Sequence, residues 1–176
     1  MKFQFNVHIN DQDYVDCNVF YQTKSPYGKK QFRTLMILWN VAMVLLYIMN
    51  FFTIGFRGSI PALLISSLSI LFFKKIHVWF LKGHLKSLRK HGKPGYSPEG
   101  VITFSEENFV EVTPENKTEY TYSAIERISV INDKAIYLHL NSLSVIILPF
   151  SCFESPSQRE EFMEFIKIKC ATVDFY

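Results

Sequence analysis

The stretch "SILFFKKIHVWFLKGHLKSLRKHGKPGY", residues 69–96, decides how the chain is read. It begins apolar, turns abruptly basic, stays rich in large apolar side chains and ends at Gly and Pro. Placed on a helix at about 100° per residue, Val78, Leu81, Leu85 and Leu88 fall on one stripe. Lys75, Lys82, Lys86, Arg89 and Lys93 form a second stripe roughly a quarter turn away. An apolar seam bordered by bases suits a helix leaving a bilayer, because the bases reach anionic headgroups. Lys74, Lys75, Lys82, Lys86, Arg89 and Lys93 are therefore the candidate headgroup ligands, and Trp79 the candidate interfacial anchor. His77, His84 and His91 recur every seven residues, about 10.5 Å along a helix axis, too far apart to share one metal ion. They read as a polar flank. A nucleic-acid-binding arm is disfavoured because the basic run directly follows an apolar one. Gly83 leaves open whether the helix is continuous.

Upstream, "FRTLMILWNVAMVLLYIMNFFTIGFRG" has no charge between Arg33 and Arg57, a run of 23 residues. That run is about 34 Å of helix, enough for a ~30 Å hydrocarbon core. Asn40 and Asn50 are its costliest residues and suit a partner helix. "FRGS" reads as a tight turn bracketed by Gly55 and Gly58, with Ser59 as cap and Pro61 in the first turn of a second helix. From Gly58 to Phe73 there are 16 uncharged residues, slightly short of a full span. Snorkelling Lys74 and Lys75 let Ile76 to Leu81 complete it. The expectation is a two-helix transmembrane hairpin with a basic helical extension over residues 32–91. A cleaved signal peptide and a pair of soluble core helices are the weaker readings.

The 176 residues carry a net charge of +3, which hides a partition. Cys17 to Pro98 contain twelve Lys or Arg and no acid; residues 99–176 contain thirteen acids against six bases. Eleven bases flank the two apolar runs and only Arg57 lies between them, which places both ends in the cytoplasm. Cys17, Cys152 and Cys170 are odd in number and lack ligand spacing, so they read as reduced thiols.

After the Gly/Pro-rich "HGKPGYSPEG" the period changes. "VITFS", "NFVEV", "TEYTY", "ISVIN", "AIYLHL" and "SVIILP" read as short strands separated by turn signals. "ESPSQREEFMEFIKIK" reads as a helix over 156–170. Ser157 and Glu160 have capping-box spacing, acids crowd the first turn, and Phe162, Phe165 and Ile166 form the buried face. The fold class is α+β: a membrane hairpin plus a small antiparallel cytoplasmic β domain, residues 97–176, closed by a C-terminal helix. Residues 1–31 form a further segment. "KFQFNVHI" alternates as a one-sided strand that adds to the sheet's edge, and Asp11 caps a helix over 12–23.

The residues "YSAIERISVINDKAIYLHLNSLSVIILPFSCFESPSQREEFMEFI" resemble the C-terminal domain of YcxB-like bacterial membrane proteins. The similarity rests on Tyr122, Ile125, Ile128, Leu148, Pro149, Phe153 and Phe162, with Ile166 beside them on the helix. "FNVHINDQDYVDCNVFYQTKSPYGKK" is similar to the family's opening strand and "DY" helix at Asp13 and Tyr14. The chain departs from the family pattern in having Tyr122 in place of Trp, and Phe150 in place of a base after the Pro. The resemblance implies a pleckstrin-homology-like fold for residues 97–171 and a bacterial plasma membrane location. It implies little about function.

No phosphate loop, metal-ligand cluster or nucleophile motif stands out. His139 reads as a surface residue on the polar side of a strand, Glu106 and Glu107 as turn carboxylates, and Glu160, Glu161 and Glu164 as a solvated helix face. The expectation is a non-enzymatic protein without cofactor or nucleic-acid partner. Its β domain binds a protein or a headgroup, its acidic charge favouring a basic protein, and its basic helix binds anionic lipid. The alternative is a membrane-resident immunity protein that neutralises a toxin.

Overall fold

The structure, a computed structural model, describes residues 2–91, 96–141, 144–170 and 172–176, without the side chains of Leu88, Arg89 and His91. The element order is β1 (Phe3–His8), α1 (Asp11–Thr23), α2 (Pro26–His91), β2 (Glu99–Phe104), β3 (Asn108–Val112), β4 (Lys117–Thr121), β5 (Arg127–Ile131), β6 (Ala135–His139), β7 (Val145–Pro149), α3 (Pro156–Lys169) and β8 (Val173–Phe175). Two compact units result: residues 1–17 with 94–176, and residues 18–93.

The β unit has two four-stranded sheets, in the orders β1-β2-β3-β4 and β7-β6-β5-β8. All neighbours are antiparallel except β8, which runs parallel to β5. The expected wholly antiparallel sheet is thus mixed, and β8 is a strand that the sequence pattern did not mark. β1 pairs with β2 along its whole length, from Phe3 opposite Phe104 to His8 opposite Glu99. Its alternation puts Phe5 and Val7 into the core while Gln4, Asn6 and His8 face out. The expected domain of residues 97–176 is therefore incomplete, because its first strand precedes α2.

The core gathers Phe5, Ile102, Phe104 and Phe109 from one sheet, Ile128, Ile136, Leu138 and Leu148 from the other, and Phe162 and Ile166 from α3. α3 starts two residues earlier than the expected capping box. Ser155 Oγ accepts from the Gln158 amide at 3.1 Å, and Gln158 Oε1 accepts from the Glu154 amide at 2.8 Å. Pro156 takes the first helical position, and no acid lies in the first turn. At α1 the cap is Asn10 in place of Asp11: its Oδ1 accepts from the Gln12 and Asp13 amides, and Asp13 Oδ2 accepts from the Asn10 amide.

In the helical unit the expected loop is absent. α2 is one helical element from Pro26 to His91 whose single non-helical residue is Gly55, at φ 72° and ψ 178°. That conformation is essentially confined to glycine. Gly58 stays helical, and Ser59 Oγ donates to the Phe56 carbonyl at 2.8 Å. Residues on either side of Gly55 meet. The Phe32 and Phe73 rings lie 5.4 Å apart, Trp39 Nε1 donates to Ser69 Oγ at 3.3 Å, and Gln22 Oε1 is 3.0 Å from His77 Nε2. Ser59, Ala62, Ser66, Ser69 and Phe73, spaced three or four apart, are the less exposed side chains between the break and Phe73. Phe32, Asn40, Met43, Tyr47 and Asn50 are their counterparts before it. Both Asn side chains donate to carbonyls of their own helix, Met36 O at 2.6 Å and Leu46 O at 2.8 Å.

Ser25 joins α1 to α2, accepting from the Gly28 amide at 3.0 Å and donating to the Tyr21 carbonyl at 2.5 Å. A Cβ at Gly28 would lie 1.9 Å from that carbonyl oxygen. Gly28→Ala should therefore force the elbow open and cost about 1–3 kcal/mol. A drop in the melting temperature of the detergent-solubilised chain would show it, and an unchanged melt would refute the close approach.

Candidate functional site

The basic stripe lies on the last turns of α2, which stays helical through Gly83 to His91. Lys74, Lys75, Lys82 and Lys86 are exposed, whereas Val78, Leu81 and Leu85 are half-buried on a neighbouring stripe. Lys75 Nζ stands 5.7 Å over the Phe72 ring. Trp79 is 70% exposed, with the Phe80 ring edge-on at 5.1 Å. Lys93 lies outside the described residues, as does the side chain of Arg89. Exposed lysines on one helix, with an exposed Trp among them, can meet an array of phosphates without fixing any one of them.

Ile128, Phe162 and Ile166 are fully buried, Tyr122, Ile125 and Pro149 buried, and Phe153 half-buried against the core. Tyr122 also donates its hydroxyl to the Ser105 carbonyl at 2.6 Å, and burial pushes that phenol up to about 12. Glu106 joins three elements. Lys2 approaches it at 3.4 Å and Lys169 at 3.5 Å, and Lys169 also donates to its backbone carbonyl at 2.8 Å. The two cations, Lys2 foremost, hold its carboxyl below the usual range. Glu160, Glu161 and Glu164 are not part of the packed face.

His139 corrects the sequence reading. It is 6% exposed, on a strand whose five residues are all buried. Its face of the sheet is covered, so alternation along "AIYLHL" does not separate core from solvent. The ring nitrogen Nε2 lies 3.1 Å from Ser129 Oγ. Across the same face, Arg127 Nε approaches Asp174 Oδ2 of β8 at 3.3 Å. Sequence reasoning missed Ser129, Arg127 and Asp174 as a group, because only the pairing of β5 with both β6 and β8 assembles them. Burial first, and then Arg127, press the His139 proton affinity down to about 4, with Asp174 acting against them. The imidazole is neutral at pH 7 and rests against a hydroxyl.

The pH dependence has a definite sign. An unfolded His139 titrates near 6.5, above its folded value, so acid favours the unfolded chain. The stabilisation is complete above about pH 6.5 and is lost as the pH falls to about 4, reaching roughly 3 kcal/mol in full. Denaturant unfolding of the full chain in detergent at pH 7, 5 and 4 should show a loss that His139→Gln largely removes. Equal slopes for both proteins would refute it.

Cys17, Cys152 and Cys170 are free thiols that burial raises to about 12, 12 and 11, so they stay protonated. Among the described residues no group of three or more His, Cys, Asp or Glu is placed to hold a metal ion. One open concavity of about 530 Å³ lies at the ends of β1, β2 and β3, lined by Asn6, His8, Glu99, Val101, Val112 and Thr113 among others.

Pro26–Ser87 is long and apolar enough to cross a membrane, and none of its apolar window is buried within the protein. Neither a curated protein nor a solved structure matches the chain. Residues 104–166, which run from the end of β2 into α3 and contain most of the core just described, match the family model described as YcxB-like protein, so the chain carries a YcxB-like domain there.

Proposed function

We propose that the chain is an integral protein of the bacterial plasma membrane with two spans and both ends in the cytoplasm. Its pleckstrin-homology-like domain is a non-enzymatic interaction module. The pairing of β1 with β2 carries the reading. These strands flank α2 in sequence and lie side by side in one sheet, so His8 and Glu99 are on the same side of any membrane that α2 enters. An even number of crossings follows, and an apolar segment that enters the bilayer must return. The glycine break at Gly55 and the Phe32–Phe73 and Trp39–Ser69 contacts support a return at that point. The eleven-to-one distribution of bases supports cytoplasmic ends. Two antiparallel blocks, β1–β4 and β5–β7, followed by α3 support the pleckstrin-homology-like reading, with α1 and α2 inserted after the first strand.

Single cysteines on a cysteine-free background test the topology. Ser59 is fully buried and unsuitable, so Arg57→Cys and Glu99→Cys serve. In intact cells an impermeant thiol reagent should label the first and spare the second, and the reverse pattern would exclude the topology. Crosslinking in native membranes followed by purification should retrieve a protein partner. The acidic domain, with thirteen acids to six bases in residues 99–176, favours a basic one. For the basic stripe, the chain should melt higher in nanodiscs with anionic lipid than in zwitterionic ones, at about 1 kcal/mol per base near the surface. Lys82→Gln with Lys86→Gln should shrink that difference.

A further inference from the structure

β8 is weakly built beside the edge it covers. It has three residues and forms the parallel pairing of an otherwise antiparallel sheet. Ile128 donates its amide to the Thr172 carbonyl at 2.9 Å, Tyr176 donates to Val130 O at 2.9 Å, and Asn132 donates to Tyr176 O at 3.0 Å. Its side chains add little burial: Val173 is half-buried on the core, while Phe175 is 60% exposed beneath Lys167 Nζ, 5.3 Å from its ring. Asp174 takes the ion pair with Arg127. β5 itself is anchored without β8. It pairs with β6 over five residues, and Ile128, Ser129 and Val130 are buried. Its outer edge thus stays formed when β8 leaves, presenting backbone donors and acceptors and one cation at a fixed register. An exposed edge of this kind accepts an added strand.

We propose that the β5 edge is a peptide-binding edge, occupied in cis by residues 172–176. An extended segment of a partner protein, with an apolar–acidic–aromatic pattern that places its carboxylate on Arg127, displaces them. The own segment, Val173-Asp174-Phe175, defines that pattern. This inference deepens the interaction-module reading and rests on it for the partner in trans; the opening of β8 is tested without one. In the full chain in detergent, the amides of Ile128, Asn132 and Tyr176 should exchange hydrogen at least ~100-fold faster than those of Ile136 and Leu138 on β6. Equal protection would make β8 an integral strand and overturn the proposal, leaving the topology and crosslinking results untouched.

The second arm uses a dye-labelled peptide Thr-Val-Asp-Phe-Tyr and the full-length Asp174→Lys chain, whose own β8 repels Arg127. Fluorescence anisotropy should show the peptide binding this variant at least ~10-fold more tightly than the wild type, and a peptide with Lys at the Asp position binding it at least ~10-fold more weakly. A folded variant that binds neither peptide, or both equally, overturns the proposal. If the variant fails to fold, hydrogen exchange on the wild type decides.

Discussion

Phe162→Ala should unfold the β unit. The Phe162 ring is fully buried, with the rings of Phe104, Phe5, Phe3 and Phe153 at 4.8, 5.0, 5.5 and 5.8 Å. It is the point where β1, β2 and α3 share side chains. Removing it leaves a cavity bounded by rings that cannot collapse together, because they are held by β1, β2 and the segment before α3. Such truncations cost about 3–5 kcal/mol, comparable to the whole stability of a small domain. The neighbouring Glu161→Ala and Glu164→Ala, both on the exposed face of α3, should stay within about 0.5 kcal/mol. Near-ultraviolet circular dichroism of the full chain in detergent should lose its aromatic signal for Phe162→Ala alone. A cooperative melt of that variant close to the wild type would mean that α3 does not hold the sheets together.

Removing β1 should be as severe. A chain of residues 97–176 keeps most of the core yet lacks Phe3, Phe5 and Val7, and leaves β2 without its partner over six residue pairs. Burial of Phe5 and Val7 is worth about 1.5–3 kcal/mol each and half-buried Phe3 adds less, so with the lost ladder their absence is comparable to what a small domain has to spare. The fragment alone should show no cooperative unfolding. Adding a peptide of residues 2–9 in trans should restore sheet structure, because the strand contributes side chains and ladder bonds without needing α1 or α2. A fragment that folds unaided would show that β1 is an accessory edge.

The extent to which this architecture was legible in the sequence follows from where the forces act. The six strands of the C-terminal half stood out because β-branched and aromatic residues alternate between short turn signals, and each is found within two residues of its expected place. β8 did not, since three residues after a helix carry too little pattern. The caps at Asn10 and Ser155 were misplaced because several Asp, Asn and Ser side chains lie close together, and only backbone geometry chooses among them. Gly55 and Gly58 look alike in sequence; positive φ at the first alone is set by how the flanking helices meet. His139 was misread for a deeper reason. Alternation reports which face of a strand is polar, and it cannot say that a second layer covers that face. The exposure of Lys74, Lys75, Lys82 and Lys86 follows from the pattern of one helix, whereas the Ser129, Arg127, Asp174 and His139 group depends on the β5–β6 hairpin meeting β8, far along the chain.

The split of the sheet across α2 has a consequence in time. His8 and Glu99 are separated by 90 residues. At a synthesis rate of about 5–20 residues per second, β1 waits roughly 5–20 s between its own emergence and that of the strand it pairs with. Throughout that interval "FQFNVH" is an unpaired edge with two phenylalanines, and the helical unit is being made and sorted behind it. Closure of the sheet is thus a late event, and with α2 in a bilayer as proposed only a chain with both ends on one side can complete it. A chain in which the sheet stays unclosed keeps two open edges, β1 with Phe3 and Phe5 and β2 with Phe104, a mark by which the cell's chaperones and proteases can recognise the failed product.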